Sequence, residues 1–147
     1  MVDRVLVVDA NILIRAVLGT RVKSLIEAYC EQVTFFLPDA AQAEAEEHLG
    51  ALVLKRGGKP EIARKMLPQL AELMEVSTPD TYGEFEQEAR ERIGARDPED
   101  WPVLACAIAL DCPIWTEDTD FFGCGAAIWT SATVDVFLRR TGTEERQ

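Results

Sequence analysis

The chain has 147 residues, of which 48% are hydrophobic and 28% charged, a length and balance typical of one globular domain with a substantial core. Its formal net charge of −11 argues against general DNA binding, which depends on Lys and Arg neutralising phosphates. No apolar run approaches the ~20 residues that span a bilayer, and the N-terminus lacks a signal-peptide pattern. The sequence therefore predicts a cytoplasmic protein without a membrane partner.

The first half of the chain predicts strands that alternate with helices. Its elements in order are strand 4–9, helices 11–18 and 21–31, strand 33–37 and a helix from Asp39 to about Arg56. Asp39 is a favoured N-cap residue, and Gly57 and Gly58 end that helix. Another helix begins near Pro60, and Pro68 is expected to kink or split it.

The second half continues the same alternation. Its predicted elements are a weak strand 75–77, an amphipathic helix 81–93, a helix that starts at 97–100 and ends near 111–113, strand 114–116, a possible strand 126–129 and a helix 134–140. Strands alternating with helices give a parallel sheet covered on both faces, which is an α/β fold. Residues 1–140 form one domain in this prediction, and 141–147 form a polar C-terminal tail.

Four carboxylates follow or flank short apolar runs in four separate parts of the chain. They are Asp9, Glu44, Asp100 and Asp118, with Asp120 nearby. Because parallel strands end at one edge of a sheet, acids far apart in sequence can meet there. Clustered carboxylates repel each other unless they are protonated or neutralised by a cation, and an all-oxygen cluster suits Mg²⁺ or Mn²⁺. Such a cluster is typical of metal-dependent phosphodiesterases.

Each acid also has a purely structural explanation. Asp9 is a good N-cap for the first helix, Asp97 and Asp100 both lie at a helix start, and Glu44 belongs to a run of acids. Three polar residues after the fourth strand, Thr116, Asp118 and Asp120, share one side if the chain stays extended. Asn11 is expected to orient Asp9 or a metal-bound water.

Four segments together resemble a known family, the PIN-domain nucleases, which include VapC-like toxins. They are Val8-Asp9-Ala10-Asn11, Pro38 with Glu44, Asp97-Pro98-Glu99-Asp100-Trp101-Pro102 and Thr116-Glu117-Asp118-Thr119-Asp120-Phe121. The resemblance covers most of the chain, from Val5 to about Phe137. Each motif is short, and it is their order and spacing that make the match specific.

This resemblance implies a three-layer α/β/α fold with a parallel sheet of about five strands in the order 3-2-1-4-5. It also implies cleavage of single-stranded RNA with Mg²⁺ or Mn²⁺, often by a homodimer, and a possible antitoxin protein as partner. Residue by residue, it carries catalytic and metal-binding roles to Asp9, Glu44, Asp100 and Asp118. Asp120 matches an additional acid of some members. Asn11 and Thr116 match the polar residues beside the acids.

One short segment concentrates basic residues in this acidic chain. Its members are Lys55, Arg56, Lys59, Arg64 and Lys65. They are either substrate contacts for RNA or an ordinary solvated turn between two helices. Both interpretations are open at this point.

Three other protein classes share parts of the pattern. An aspartyl-phosphate phosphatase needs a second Asp two residues after the first, where this chain has Asn11. A receiver domain needs a Lys after its last strand, and no Lys follows Lys65. The third class is a catalytically silent PIN scaffold or RNA- or protein-binding module, which the acid set argues against without excluding it.

Overall fold

The computed structural model describes residues 4–140, so the predicted polar tail 141–147 lies outside the described residues. The strands are β1 Arg4–Val8, β2 Val33–Pro38, β3 Glu75–Ser77, β4 Ile114–Trp115 and β5 Ile128–Trp129. The α-helices are α1 Ala10–Leu18, α2 Arg21–Tyr29, α3 Asp39–Lys55, α4 Pro60–Ala71, α5 Pro79–Tyr82, α6 Glu86–Ile93, α7 Trp101–Leu110 and α8 Val134–Arg139. Short 3₁₀ turns lie at Gly83–Phe85, Pro98–Asp100 and Thr119–Phe121.

The five strands form one parallel sheet in the order β3-β2-β1-β4-β5, which confirms the expected order. β1 lies at the centre, between β2 and β4, and Leu6, Val7 and Val8 are fully buried. A strand that is buried on both faces reads as a continuous apolar run, and this explains why β1 is recognisable in the sequence.

The helices cover both faces of the sheet. Connections between parallel strands are right-handed, so the direction in which the chain moves across the sheet decides which face its helices cover. The chain moves in one direction from β1 through β2 to β3, and the helices of these connections lie on one face. It moves in the opposite direction from β3 to β4, and the helices of that connection lie on the other face. Packing agrees with this division, because α1 packs against α3 and α4, while α7 packs against α5 and α6. The architecture is therefore the expected three-layer α/β/α arrangement.

Two local expectations differ from the structure. Pro68 was expected to kink or split its helix, and it does not split it, since α4 continues to Ala71; Pro68 lies in the last turn, where one missing amide donor removes little helix. The predicted single helix 81–93 is divided into α5, the 3₁₀ turn at Gly83–Phe85 and α6. Gly83, a poor helix former, lies at that break.

The carboxyl ends of β1 and β4 mark the point where the strand order reverses, and crevices at such points bind ligands in open α/β sheets. The amide of Asp9 donates to the Trp115 carbonyl (3.1 Å), and the amide of Thr116 donates to the Trp129 carbonyl (3.0 Å). These bonds align the residues that follow β1 and β4 at one edge. No helix within residues 4–140 has the length and apolar character needed to cross a membrane.

Candidate metal centre

Asp9 follows β1 directly and caps the N-terminus of α1. One carboxylate oxygen, Oδ1, accepts a hydrogen bond from the Ala10 amide (2.7 Å). The other, Oδ2, accepts from the Thr116 hydroxyl (2.7 Å) and from Nδ2 of Asn11 (3.1 Å). Asp9 thus has the capping role that its position suggested, and three donors also fix the orientation of its carboxylate.

Burial of Asp9 is almost complete, at 3% exposure. This burial raises its pKa to about 6, against hydrogen bonds that lower it, and the charges of Glu44 and Asp118 raise it further. A carboxylate held in this way gains from a nearby cation, because a cation offsets both the lost hydration and the repulsion.

Thr116 and Asn11 join the two strand ends. The Thr116 hydroxyl donates to Asp9 and accepts from Nδ2 of Asn11 (3.1 Å) and from the Asp118 amide (2.9 Å). A hydroxyl has one donor and two acceptor sites, so this fully buried group is completely paired. Oδ1 of Asn11 accepts from the Glu117 amide (3.1 Å). Both residues therefore act by positioning the acids beside them.

Three carboxylates meet beside this network. Asp97, Asp100 and Asp118 each offer an oxygen, and these oxygens lie within 4.8 Å of one another. Asp100 is 8% exposed. Burial raises its pKa most, followed by a hydrogen bond with Asp97, the charge of Asp9 and a hydrogen bond with Asp118. Two carboxyl groups share a hydrogen bond only when one is protonated, so the cluster carries either a proton or a cation.

Asp97 is the acid whose position in this group was not expected from the sequence. It precedes the 3₁₀ turn Pro98–Asp100, but its side chain makes no capping hydrogen bond to that turn. The signal in the sequence was the spacing of Asp97 and Asp100, three residues apart at a helix start. A capping interpretation explained that spacing equally well.

Glu44 lies on α3 and is half-buried. Burial raises its pKa, His48 lowers it, and the charges of Asp97 and Asp118 raise it. The negative charges of Asp97 and Asp118 therefore act on Glu44, although Glu44 lies on α3 and those two acids lie in loops.

The chain does not stay extended after Thr116, which corrects that expectation. Asp118 caps the 3₁₀ turn Thr119–Phe121, and its Oδ1 accepts from the Asp120 amide (2.9 Å). Asp120 lines a small cavity whose other lining residues are Ile93, Asp97, Asp100 and Phe121. Its carboxylate is not part of the close group of three among the described residues, and its role as a ligand stays a prediction.

Glu117 is a structural residue that the sequence analysis did not single out. Its carboxylate accepts from the Ser131 amide and lies 4.0 Å from the Arg15 guanidinium. The Ser131 hydroxyl in turn accepts from the indole of the buried Trp115 (3.2 Å). These contacts attach the segment after β4 to the segment after β5, which holds Asp118 in place.

The basic segment spans the end of α3 and the first half of α4, and its Arg64 lines a pocket together with Glu46 of α3. All five of its side chains are exposed: Lys55, Arg56, Lys59, Arg64 and Lys65. The Arg64 guanidinium approaches Gly50, 3.2 Å from the position that a Cβ would take. Lys55 comes eleven residues after Glu44 on α3, so about 16 Å of helix separates them. The structure leaves the predicted RNA contact of this segment as a prediction.

The comparison with protein families gives one match, to a family model described as "PIN domain", over residues 7–139. No curated protein matches the chain significantly.

Solved structures with the same fold include two bacterial complexes. "VapBC2 from Rickettsia felis bound to a DNA fragment from their promoter" matches with a TM-score of 0.63 and 16% identity, over 86% of this chain and 98% of that one. "FitAcB from Neisseria gonorrhoeae" matches with a TM-score of 0.61 and 20% identity, over the same shares of the two chains. These low identities show similarity of fold.

Proposed function

Because the chain belongs to the PIN-domain family, we propose that it is a metal-dependent endoribonuclease that hydrolyses phosphodiester bonds of single-stranded RNA. The observation that carries this proposal is the group of three carboxylates, Asp97, Asp100 and Asp118, within 4.8 Å at the carboxyl edge of the sheet. PIN nucleases generally use divalent metals, and this donor set is all oxygen, as Mg²⁺ and Mn²⁺ prefer.

The residues that would hold the metal come from four parts of the chain. They are Asp9, Glu44, Asp100, Asp118 and Asp97, with Asp120 beside them. A bound Mg²⁺ or Mn²⁺ would supply a hydroxide near neutral pH and would neutralise charge on the reacting phosphate. The acids named above would hold that cation. Half-buried Glu44, whose pKa is raised, is suited to accept a proton from the attacking water.

Asn11 and Thr116 complete the proposed site without touching the reacting phosphate. They hold Asp9 and Asp118 through the hydrogen bonds described above. Groups that orient metal ligands in this way typically affect metal affinity or activity 10- to 100-fold.

The biological role that we infer is that of a toxin paired with an antitoxin protein, acting in the cytoplasm as a homodimer. Support comes from the resemblance to VapC-like toxins and from the shared fold with the VapBC and FitAB structures. The basic segment would contact the RNA backbone away from the reacting phosphate, since phosphate contacts position RNA without specifying its sequence.

A catalytically silent PIN scaffold is the alternative. The crowded carboxylates count against it, because a scaffold gains nothing from the repulsion among buried acids.

A cleavage assay with a matched acid variant separates these functions. We expect purified protein to cut a single-stranded RNA oligonucleotide in Mg²⁺ or Mn²⁺ and to lose activity in chelator. Asp118→Asn should reduce turnover at least ~100-fold. Asp135→Asn is the control, since this acid lies on α8 and pairs only weakly with Arg139 (3.8 Å). Cleavage that resists chelator, or that survives in Asp118→Asn, contradicts a metal-dependent mechanism.

A further inference from the structure

One aromatic ring is exposed on the loop that carries the acids. Phe122 is 49% exposed, and it is the one aromatic residue among the exposed large apolar residues of 4–140. Its neighbour Phe121 is 1% exposed and lines the small acidic cavity. Phe121 therefore packs into the core, while the ring of Phe122 is half exposed to solvent.

The backbone at Phe122 is held in place. Its carbonyl accepts from Nη1 of Arg96 (2.6 Å), and its amide donates to the Thr119 carbonyl (3.0 Å). Nε of Arg96 also donates to the Ile93 carbonyl (3.1 Å). The two bonds to Phe122 involve only its main-chain atoms, so the backbone that carries the ring is held without any contribution from the ring itself.

Phe122 also lies close to the acid group. It follows Asp118 by four residues through the 3₁₀ turn Thr119–Phe121, which corresponds to about 8 Å at ~2 Å rise per residue. Arg96, which binds the Phe122 carbonyl, directly precedes Asp97 in sequence. A cation is thus bonded to the backbone of Phe122 and adjoins one of the acids in sequence, in a chain whose net charge is −11.

We infer that Phe122, with Arg96 beside it, forms a stacking subsite for an unpaired RNA base next to the acid group. This inference rests on the proposed function. An aromatic face binds any base by stacking, and a guanidinium favours the neighbouring phosphate. A base that is paired within a duplex has no free face, so the subsite selects single-stranded RNA.

The test measures binding of a single-stranded RNA oligonucleotide by proteins that carry Asp118→Asn, so that the RNA stays intact. In that background, Phe122→Leu keeps an apolar side chain but removes the ring, and Phe122→Tyr keeps the ring. We expect Phe122→Leu to weaken binding about 5- to 150-fold, as loss of one stacked base predicts, and Phe122→Tyr to bind normally. Val136→Ala, which changes another exposed apolar residue (38%) on α8, should have no effect.

Abasic substitutions in the oligonucleotide identify the base itself. One abasic position should weaken binding by the Phe122 protein and leave binding by Phe122→Leu unchanged, and the salt dependence should be equal in both, because no counterion contact is lost. Normal RNA binding by Phe122→Leu overturns the inference. If that variant instead changes only the oligomeric state in solution, Phe122 is a protein contact and the inference is equally wrong.

The outcome is separable from that of the proposed function. Cleavage by the unsubstituted protein together with normal binding by Phe122→Leu removes the subsite and keeps the nuclease. Ring-dependent RNA binding without any cleavage keeps the subsite and removes the nuclease. Failure of every protein to bind RNA removes the subsite, while the cleavage assay alone decides the nuclease.

Discussion

Thr116 is the residue on which the site geometry depends most. Its hydroxyl makes three hydrogen bonds in a fully buried position, so Thr116→Val leaves Asp9, Asn11 and the Asp118 amide each short of a partner. We expect the free energy of unfolding to fall by about 1–3 kcal/mol and RNA turnover to fall about 10- to 100-fold. Urea denaturation and a cleavage assay measure the two effects.

Thr116→Ser is the matched control, because it keeps the hydroxyl and removes only a methyl group. It should restore turnover to near the original level. Equal loss of turnover in both variants would mean that packing at this position matters and the hydroxyl does not.

Asp100 should destabilise the metal-free protein. The pKa values of Asp9 and Asp100 are raised in the folded protein, so the folded state holds these protons to higher pH than the unfolded state does. The contribution of these two groups to stability in chelator is therefore fully present below about pH 4. It is lost as the pH rises, through about 6 for Asp9 and to higher pH for Asp100.

Asp100→Asn removes the cost of keeping this carboxyl protonated in the folded state, and with that cost its pH dependence. At pH 7 in chelator we expect a gain on the order of 1 kcal/mol, or about 2–4 °C in Tm. The gain should shrink as the pH is lowered towards 4, and thermal melts across that range measure it. A variant that melts below the original protein at every pH would show that Asp100 supports the fold, as a capping residue does.

The sequence indicated which acids lie near the carboxyl ends of β1 and β4, but not which three carboxylates come closest together. Asp9 and Asp118 were recognisable because each follows an apolar strand. The sequence did not show that Asp97, and not Asp120, joins the close group, because local turn geometry decides which carboxylate approaches Asp100. The capping of the 3₁₀ turn by Asp118 is the feature that an extended-chain assumption misses.

At the scale of elements, Arg96 connects the two loops that supply the close acids. Its guanidinium binds the carbonyls of Ile93 and Phe122, so it joins the loop before Asp97 to the turn after Asp118. Arg96→Gln cannot reach both carbonyls. We expect about 10- to 100-fold weaker Mn²⁺ binding, with the main unfolding transition nearly unchanged.

Arg139→Gln is the control for this change, because Arg139 forms an exposed pair on α8. Calorimetric titration with Mn²⁺ compares the two variants. Unchanged Mn²⁺ affinity in Arg96→Gln would show that the two loops keep their positions without this residue.

The order of the elements along the chain was predictable because the buried strands carry continuous apolar runs. The break within the predicted helix 81–93 was not predictable. Tyr82, Ala89 and Ile93 are buried and Phe85 is half-buried, which agrees with the amphipathic character predicted for 81–93. The same face continues across the break at Gly83, so periodicity alone does not reveal that the helix is divided.

Charge is distributed unevenly over the molecule. The net charge is −11, yet the turn between α3 and α4 is basic and exposed. If that turn contacts RNA, neutralising Lys55, Arg56 and Lys59 to Gln should weaken RNA binding and reduce the slope of log K against log salt by up to ~2, at about 0.7 for each lost phosphate contact.

Turnover at saturating RNA should change little in this triple variant, because these residues do not touch the reacting phosphate. Binding titrations at several salt concentrations test the prediction, and Arg139→Gln again serves as control. An unchanged slope would assign the segment to an ordinary solvated turn.

If acids from separate parts of the chain bind one divalent cation, calorimetric titration with Mn²⁺, and with Mg²⁺ as competitor, should show it. We expect saturable Mn²⁺ binding that is lost or strongly weakened in Asp9→Asn, Asp100→Asn and Asp118→Asn alike, and retained in Asp135→Asn. Mn²⁺ binding that is absent from the original protein, or that persists equally in all three site variants, would contradict it.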